Sequence, residues 1–378
     1  MDITFNQNPT VAAAGADQTG AGTCGTTSTT LAANAPTVGT GTWTIVAGVG
    51  GTIVTPGSPT SVFNGVAGNT YTLRWTITNA PCPASFDEVD ITFNQNPSVS
   101  AAGPDQTICA TSTSLAGNTP TVGTGTWTII AGAGGVVTTP GNPTSTFTGL
   151  AGTTYTLRWT IANPPCAALT DDVDITFIPN PNTSNAGPDQ NLCATSATLA
   201  ANAPSAGTGA WTIIAGVGGT VTTPSSPTST FTGVAGTSYT LRWTITNPPC
   251  ALSSDDVIIT FTDNPSIAAA GPDQTGAGTC GTTSATLAAN APTVGTGTWT
   301  IVAGIGGTIV TPGSPTSAFN GVAGNTYTLR WTITNAPCPA SFDEVDITFN
   351  QNPTVAAAGA DQTGAGTCGT TSTTLAAN

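Results

Sequence analysis

Residues 71–82 read YTLRWTITNAPC, and the stretch returns at 155–166 (YTLRWTIANPPC), 239–250 (YTLRWTITNPPC) and 327–338 (YTLRWTITNAPC). Tyr71, Leu73, Trp75 and Ile77 alternate with Thr72, Arg74, Thr76 and Thr78. A period of two places each set on its own face of a β-strand, so the apolar set faces a core and the Thr/Arg set faces water. Asn and Pro stop the strand, and a Cys follows at a fixed offset. Four copies of one buried strand predict four copies of one small β-domain.

Working outward, the first complete copy places short strands at 29–32, 42–46, 52–55 and 61–63, with a loose first strand at 10–17 and a last strand at 88–93 (EVDITF). Gly and Pro clusters separate them, and no helical period intervenes. Trp43 shares a face with Ile45, while Val89, Ile91 and Phe93 alternate with Glu88, Asp90 and Thr92. Six or seven short strands with regular turn signals call for a two-sheet antiparallel sandwich. The eight tryptophans, Trp43, Trp75, Trp127, Trp159, Trp211, Trp243, Trp299 and Trp331, are the expected core, with each pair from two central strands. Arg74 should meet Glu88 or Asp90 across the outer face.

The repeats follow one another every 84 to 88 residues, judged by the early cysteines 24, 109, 193, 280 and 368. The expected division is residues 1–9 (last strand of a preceding repeat), 10–97, 98–181, 182–265 and 266–353 (four sandwiches), and 354–378 (start of a following repeat). Residues 2–34 are identical to 346–378, as in a window cut from a longer array. The links are short, and Pro97, Pro181, Pro265 and Pro353 stiffen them, which favours a rod over loose beads.

Composition narrows the function. The 378 residues include 46 Gly and 29 Pro but no His and no Lys; the four basic residues are Arg74, Arg158, Arg242 and Arg330, and the net charge is −14. Such a chain offers nothing to nucleic acid or to an anionic membrane surface. No apolar run reaches the length of a membrane span. The commonest general base and the Schiff-base nucleophile are both missing, so no enzyme is expected.

Cysteines 24 and 82, 109 and 166, 193 and 250, and 280 and 338 lie 57 or 58 residues apart. That constant gap predicts one structural disulfide per domain, Cys24–Cys82, Cys109–Cys166, Cys193–Cys250 and Cys280–Cys338, with the tryptophan pair beneath it and Cys368 unpaired. Zinc would need CxxC or Cys/His clusters, and neither occurs. Persistent disulfides imply an oxidising, extracellular location. No cofactor is expected. The competing reading of the carboxylates, Asp87, Glu88 and Asp90 beside Asp105 of the next copy (with Asp17, Asp189, Asp273 and Asp361 alike), is a junction Ca²⁺ site. Solvated acids and a turn-forming Asp account for the same residues.

The stretch AGPDQT (residues 102–107 and 270–275; AGPDQN at 186–191), then Cys, GTGTWTI, TYTLRWTITN, Pro-Cys and DEVDITF resembles the PKD-like or immunoglobulin-like modules arrayed in large cell-surface adhesins of Bacteroidota, of the gliding-motility type. The resemblance covers the chain four times over. It implies secretion to the bacterial cell surface and a role as a stalk or fibre segment with weak multivalent adhesion. The partners it implies are neighbouring repeats of one long chain and surface glycans or other cells. Two alternatives are a lectin-like module and a subunit of a self-assembling extracellular filament.

Overall fold

The computed structural model describes residues 1–363, 369 and 371–377. In the first repeat the strands are β1 (Ser28–Thr30), β2 (Thr40–Ala47), β3 (Thr52–Ile53), β4 (Val62–Asn64), β5 (Thr70–Asn79) and β6 (Cys82–Thr92). β5 is the organising strand. Its Tyr71, Leu73, Trp75 and Ile77 are fully buried while Thr72, Arg74 and Thr76 are half-buried, as period-two alternation dictates. It is the middle of the sheet β2-β5-β6, antiparallel on both sides.

The second sheet, β1-β4-β3, lays Phe63 across this face. The Phe63 and Tyr71 rings meet edge to face at 5.0 Å, and Phe63 stacks on Phe93 at 6.0 Å. Both geometries suit the aromatic quadrupole. The Tyr71 hydroxyl donates to Val49 O (3.0 Å) and accepts from Val66 N–H (2.9 Å), so one side chain ties two loops to the core. Gly41 sits where a Cβ would lie 2.1 Å from the Trp75 ring, so the bare backbone is what lets that indole lie flat under β2.

The same core recurs as four separate clusters, from Ala12 to Phe93, Ala102 to Phe177, Ala186 to Phe261 and Ala268 to Phe349. The second repeat contains β7 (Gln106–Ile108), β8 (Ser112–Ser114), β9 (Thr124–Ala131), β10 (Val136–Val137), β11 (Thr146–Thr148), β12 (Thr153–Ala162) and β13 (Leu169–Phe177). Here β7 pairs parallel with β13. The first repeat keeps only an isolated parallel bridge, Gln18 to Ile91, before the single-turn 3₁₀ helix Ala21–Thr23. The chain is thus an all-β tandem of immunoglobulin-like sandwiches, antiparallel apart from this edge.

Three details depart from the sequence reading. Residues 10–17 form no strand. Two of their amides bond side chains of β6, Ala12 N–H on Ser85 Oγ (2.9 Å) and Ala14 N–H on Asp87 Oδ2 (2.7 Å), while Ala13 N–H binds Asn34 Oδ1 (2.9 Å). Ile45, opposite the buried Leu73 in register, is 37% exposed. Each tryptophan pair is a direct cross-strand pair within one sheet, Trp43 opposite Trp75 at 5.1 Å, rather than a contact beneath a disulfide. All eight tryptophans are buried.

The arginine on the outer face takes the residue opposite it in register. Arg158 grips Asp172 with a two-pronged fork (2.7 and 2.8 Å), and Arg242 grips Asp256 alike. Arg74 and Arg330 instead place both N–H groups on one oxygen of Glu88 and Glu344, and each lies over a phenylalanine ring, Phe86 and Phe342, at 4.4 and 4.3 Å. Hydrogen bonding from Arg158 and Arg242 holds the Asp172 and Asp256 carboxyls below the usual carboxylate range. A carboxyl whose folded pKa is depressed stabilises the fold above its unfolded pKa and loses that contribution as pH falls through the folded value. Acid unfolding of the native chain should therefore accelerate below about pH 4, and Asp172→Asn with Asp256→Asn should flatten that part of a stability-versus-pH curve. A curve of unchanged slope contradicts the assignment.

The indoles differ between repeats. Trp159 and Trp243 donate Nε1–H to Asn118 O and Asn202 O (3.2 and 3.1 Å), whereas Trp75 and Trp331 Nε1 are buried without a partner. Removing a buried hydrogen bond costs on the order of 1 kcal/mol, and removing an unsatisfied donor does not. Trp159→Phe should thus destabilise by about 1 kcal/mol more than Trp75→Phe in denaturant unfolding. Equal losses would show that packing alone sets the cost.

Candidate functional site

The chemistry-bearing residues of this chain gather where one repeat passes into the next. The chain divides into two compact units, residues 1–181 with Thr246–Leu252, and Asn182–Ile245 with residues 253–378. Each contains a junction in which three elements converge.

In the first unit the linker after β6 is held from both sides. The loop carrying Cys24 docks on it through Gly25 N–H to Asn94 O (2.9 Å). Asn94 Nδ2 returns bonds to Thr19 O, Gly20 O and Thr23 Oγ1 (3.1, 3.2 and 3.0 Å). Gly25 has φ +65°, which an L side chain rarely adopts, and an added Cβ would lie 2.3 Å from Asn96 Nδ2. From the following repeat, Asn163 at the end of the Trp strand donates Nδ2–H to Gln95 O (2.8 Å). Cys166, three residues on, is then bonded to Cys24, with their Cα atoms 5.6 Å apart.

The other two disulfides are Cys109–Cys250 and Cys193–Cys338, with Cα separations of 5.4 and 4.9 Å. Each again accompanies an Asn at the end of the Trp strand: Asn247 Nδ2 on Pro179 O (2.7 Å) and Asn335 Nδ2 on Asp263 O (2.8 Å). Among the described residues, each disulfide therefore joins the early cysteine of one repeat to the hairpin cysteine of the next. This corrects the expected pairing. Cys24–Cys82, Cys109–Cys166, Cys193–Cys250 and Cys280–Cys338 do not form, and Cys82 and Cys280 are free. Within a repeat, the hairpin tip bearing the second cysteine reaches back over the preceding linker, where the earlier repeat presents its own early cysteine. Cys368 lies outside the described residues.

Of the carboxylates read as junction ligands, Glu88 pairs with Arg74, and Asp17, Asp87, Asp90, Asp105, Asp189 and Asp273 accept backbone or hydroxyl donors. Asp17 Oδ1 accepts from Asp90 N–H (2.9 Å), Asp87 from Ala14 N–H, and Asp90 Oδ1 from Thr72 Oγ1 (2.8 Å). Asp105, Asp189 and Asp273 repeat the Asp17 bond on Asp174, Ile258 and Asp346 N–H. The Asp of AG-x-DQ thus latches the first segment of a repeat to that repeat's last strand. Among the described residues, no group of three or more His, Cys, Asp or Glu is gathered as a metal site. The sequence reading missed Asn79, Asn163, Asn247 and Asn335. Their invariant place one turn before the cysteine was the available signal, but it also fits an ordinary strand stop.

No family profile matches the chain, and no curated protein matches it either. Solved structures with some likeness include Drosophila OTK extracellular domains 3–5 (12% identity, 67% of this chain and 97% of that one, TM-score 0.29). The insect immune protein hemolin (11%, 92% and 100%, 0.30) and Sidekick-1 immunoglobulin domains 1–5 (10%, 91% and 78%, 0.31) are others. At these scores the likeness assigns nothing to this chain.

The pairing has a direct check. Peptide mapping of the non-reduced protein should recover Cys24 linked to Cys166, Cys109 to Cys250 and Cys193 to Cys338; a peptide joining Cys24 to Cys82 would refute the junction geometry.

Proposed function

We propose that this chain is a structural segment of an extracellular adhesion array, a mechanical spacer whose repeats are stapled to one another rather than within themselves. The observation that carries the reading is the overlap of the three disulfides. From Cys24 the covalent path crosses to Cys166, runs 27 residues to Cys193, and crosses to Cys338. Cys109–Cys250 spans the one stretch that the other two leave open. A pulled chain therefore meets a taut path of at most about 105 Å between Cys24 and Cys338, 27 residues at ~3.5 Å each plus the two disulfide crossings of 5.6 and 4.9 Å. Only the residues between Cys166 and Cys193, which include strand β13 of the second repeat, can be drawn out before the load is carried by the disulfides.

In the chain-entropy picture, closing loops of 141 to 145 residues restricts the unfolded state by about 5 kcal/mol each. Persistent disulfides belong to oxidising surroundings, which supports an extracellular location. The resemblance of the motifs supports the surface of a bacterium of the Bacteroidota, with weak contacts to glycans or neighbouring cells multiplied along the array. Because the junction carboxylates already accept protein hydrogen bonds, the spacer is read as metal-independent, and EDTA should leave its extension unchanged. The absence of any His or Lys supports a non-enzymatic role.

Single-molecule pulling tests the spacer. Reduced, each repeat of 84 to 88 residues should give a step of about 300 Å. Oxidised, those steps should vanish between Cys24 and Cys338. Full-length steps from the oxidised protein would rule the reading out.

A further inference from the structure

Each repeat divides its surface by charge. Residues 18–73 contain no charged side chain, nor do 106–157, 190–241 or 274–329. In the first repeat that neutral stretch builds β1 to β4, while the acids lie on β6 and on the AG-x-DQ aspartate latched to it. Two strands of the neutral half are sheet edges, β2 in β2-β5-β6 and β3 in β1-β4-β3. The counterparts of β2, namely β9, Thr208–Ala215 and Thr296–Ala303, also end their sheets.

Sheet edges are normally guarded by charge or covered. This one carries exposed apolar side chains instead. Val46 is 49% exposed, and its counterparts Ile130, Ile214 and Val302 are 50%, 50% and 49% exposed. Each compact unit contains two repeats, and neither covers the edge of the other. Val49, in the turn that follows β2, is 80% exposed, and Val66 lies against that turn, since a Cβ on Gly50 would come within 3.2 Å of its Cγ2. The Tyr71 hydroxyl, bonded to Val49 O and Val66 N–H, fixes the two together. Strand addition is blocked here. Trp43 N–H points off the sheet and is taken by Pro56 O (2.8 Å), as Trp127, Trp211 and Trp299 are by Pro140, Pro224 and Pro312. The proline carbonyl holds the place of an incoming strand, so the edge offers side chains for packing.

We propose that the β2–β3 side of each repeat is a homotypic contact surface, on which a second copy of this chain packs the same side of its own repeats. Charge selects a copy as the occupant. A copy carries a net charge of −14, and its acids repel it from the β6 side. It can approach only across the uncharged side, where apolar surface meets apolar surface. A cationic partner would be drawn to the acidic side instead. The contact is isologous, and its repetition four times along the chain multiplies what each small contact contributes. The spacer thus holds copies to one another, through a surface that is independent of the staples.

Sedimentation velocity of the full chain, with free thiols capped by iodoacetamide, tests this. The parent should shift from monomer towards dimer as it is concentrated to about 1 mM, the range of weak contacts. The shift should grow with salt, which screens the repulsion between copies. At high salt, Val46→Asp, Ile130→Asp, Ile214→Asp and Val302→Asp together should weaken association by about tenfold or more, with unchanged circular dichroism. If that variant does not fold, Val49→Asp, Ala133→Asp, Val217→Asp and Ile305→Asp in the exposed turns replace it. The same four charges placed on the first segment, which lies against β6, by Val11→Asp, Val99→Asp, Thr183→Asp and Ile267→Asp, should change association less than about twofold. A parent that stays monomeric, an association that weakens with salt, or equal effects of the two sets of charges overturns the proposal. Peptide mapping of the same samples reports on the staples separately, so either reading can fail without the other.

Discussion

The register of one hairpin sets the positions of most other groups. Because the side-chain period of a strand is two, burying Tyr71, Leu73, Trp75 and Ile77 leaves β5 a single face to turn inward. That choice fixes Trp43 opposite Trp75, Glu88 opposite Arg74, and Asn79 opposite Cys82 at the tip. A slip by one residue would expose the whole aromatic set and withdraw the cysteine from its junction. The core and the staple are therefore two ends of one rigid strand pair.

From that hairpin the junction follows. The Trp strand of each repeat ends in an Asn that takes a carbonyl of the preceding linker, and the cysteine beside it meets the loop of the previous repeat. Adjacent repeats are held by short hydrogen bonds and then made inseparable by a covalent bond. The repeats differ in how the early cysteine is presented. In the second repeat, strand β7 runs parallel to β13 and Ile178 N–H binds Ile108 O at 2.7 Å. In the first and fourth, three extra residues form a 3₁₀ turn instead, and Asn94 or Asn350 ties it down. Two local solutions deliver the same sulfur.

The low charge of the chain also acquires a physical reading. Aspartates 17, 87 and 90 serve as acceptors for backbone amides and a hydroxyl, work that a regular first strand would otherwise do through its ladder. Since residues 10–17 lack that ladder, the carboxylates stand in for carbonyls. Threonine covers the outer face of β5, where the single arginine of each repeat finds its partner in register.

The sequence by itself determined the repeat, the all-β class and the buried face of the Trp strand, and it narrowed the partner of Arg74 to Glu88 or Asp90, because a period of two and a fixed offset are local properties. Of the eight cysteines it expected in disulfides, six are bonded, and Cys82 and Cys280 are free. It could not determine which cysteines pair. In a periodic chain the separation of 57 or 58 residues within a repeat and that of 141 to 145 across a junction are equally regular, so spacing cannot choose between them. The choice belongs to the packing of one repeat against the next, which places Cys166, and not Cys82, within 5.6 Å of Cys24. The AG-x-DQ aspartates show the same limit. Their motif was plain, but the amide each one accepts lies some 70 residues away in the chain and is brought near only by the closed sandwich.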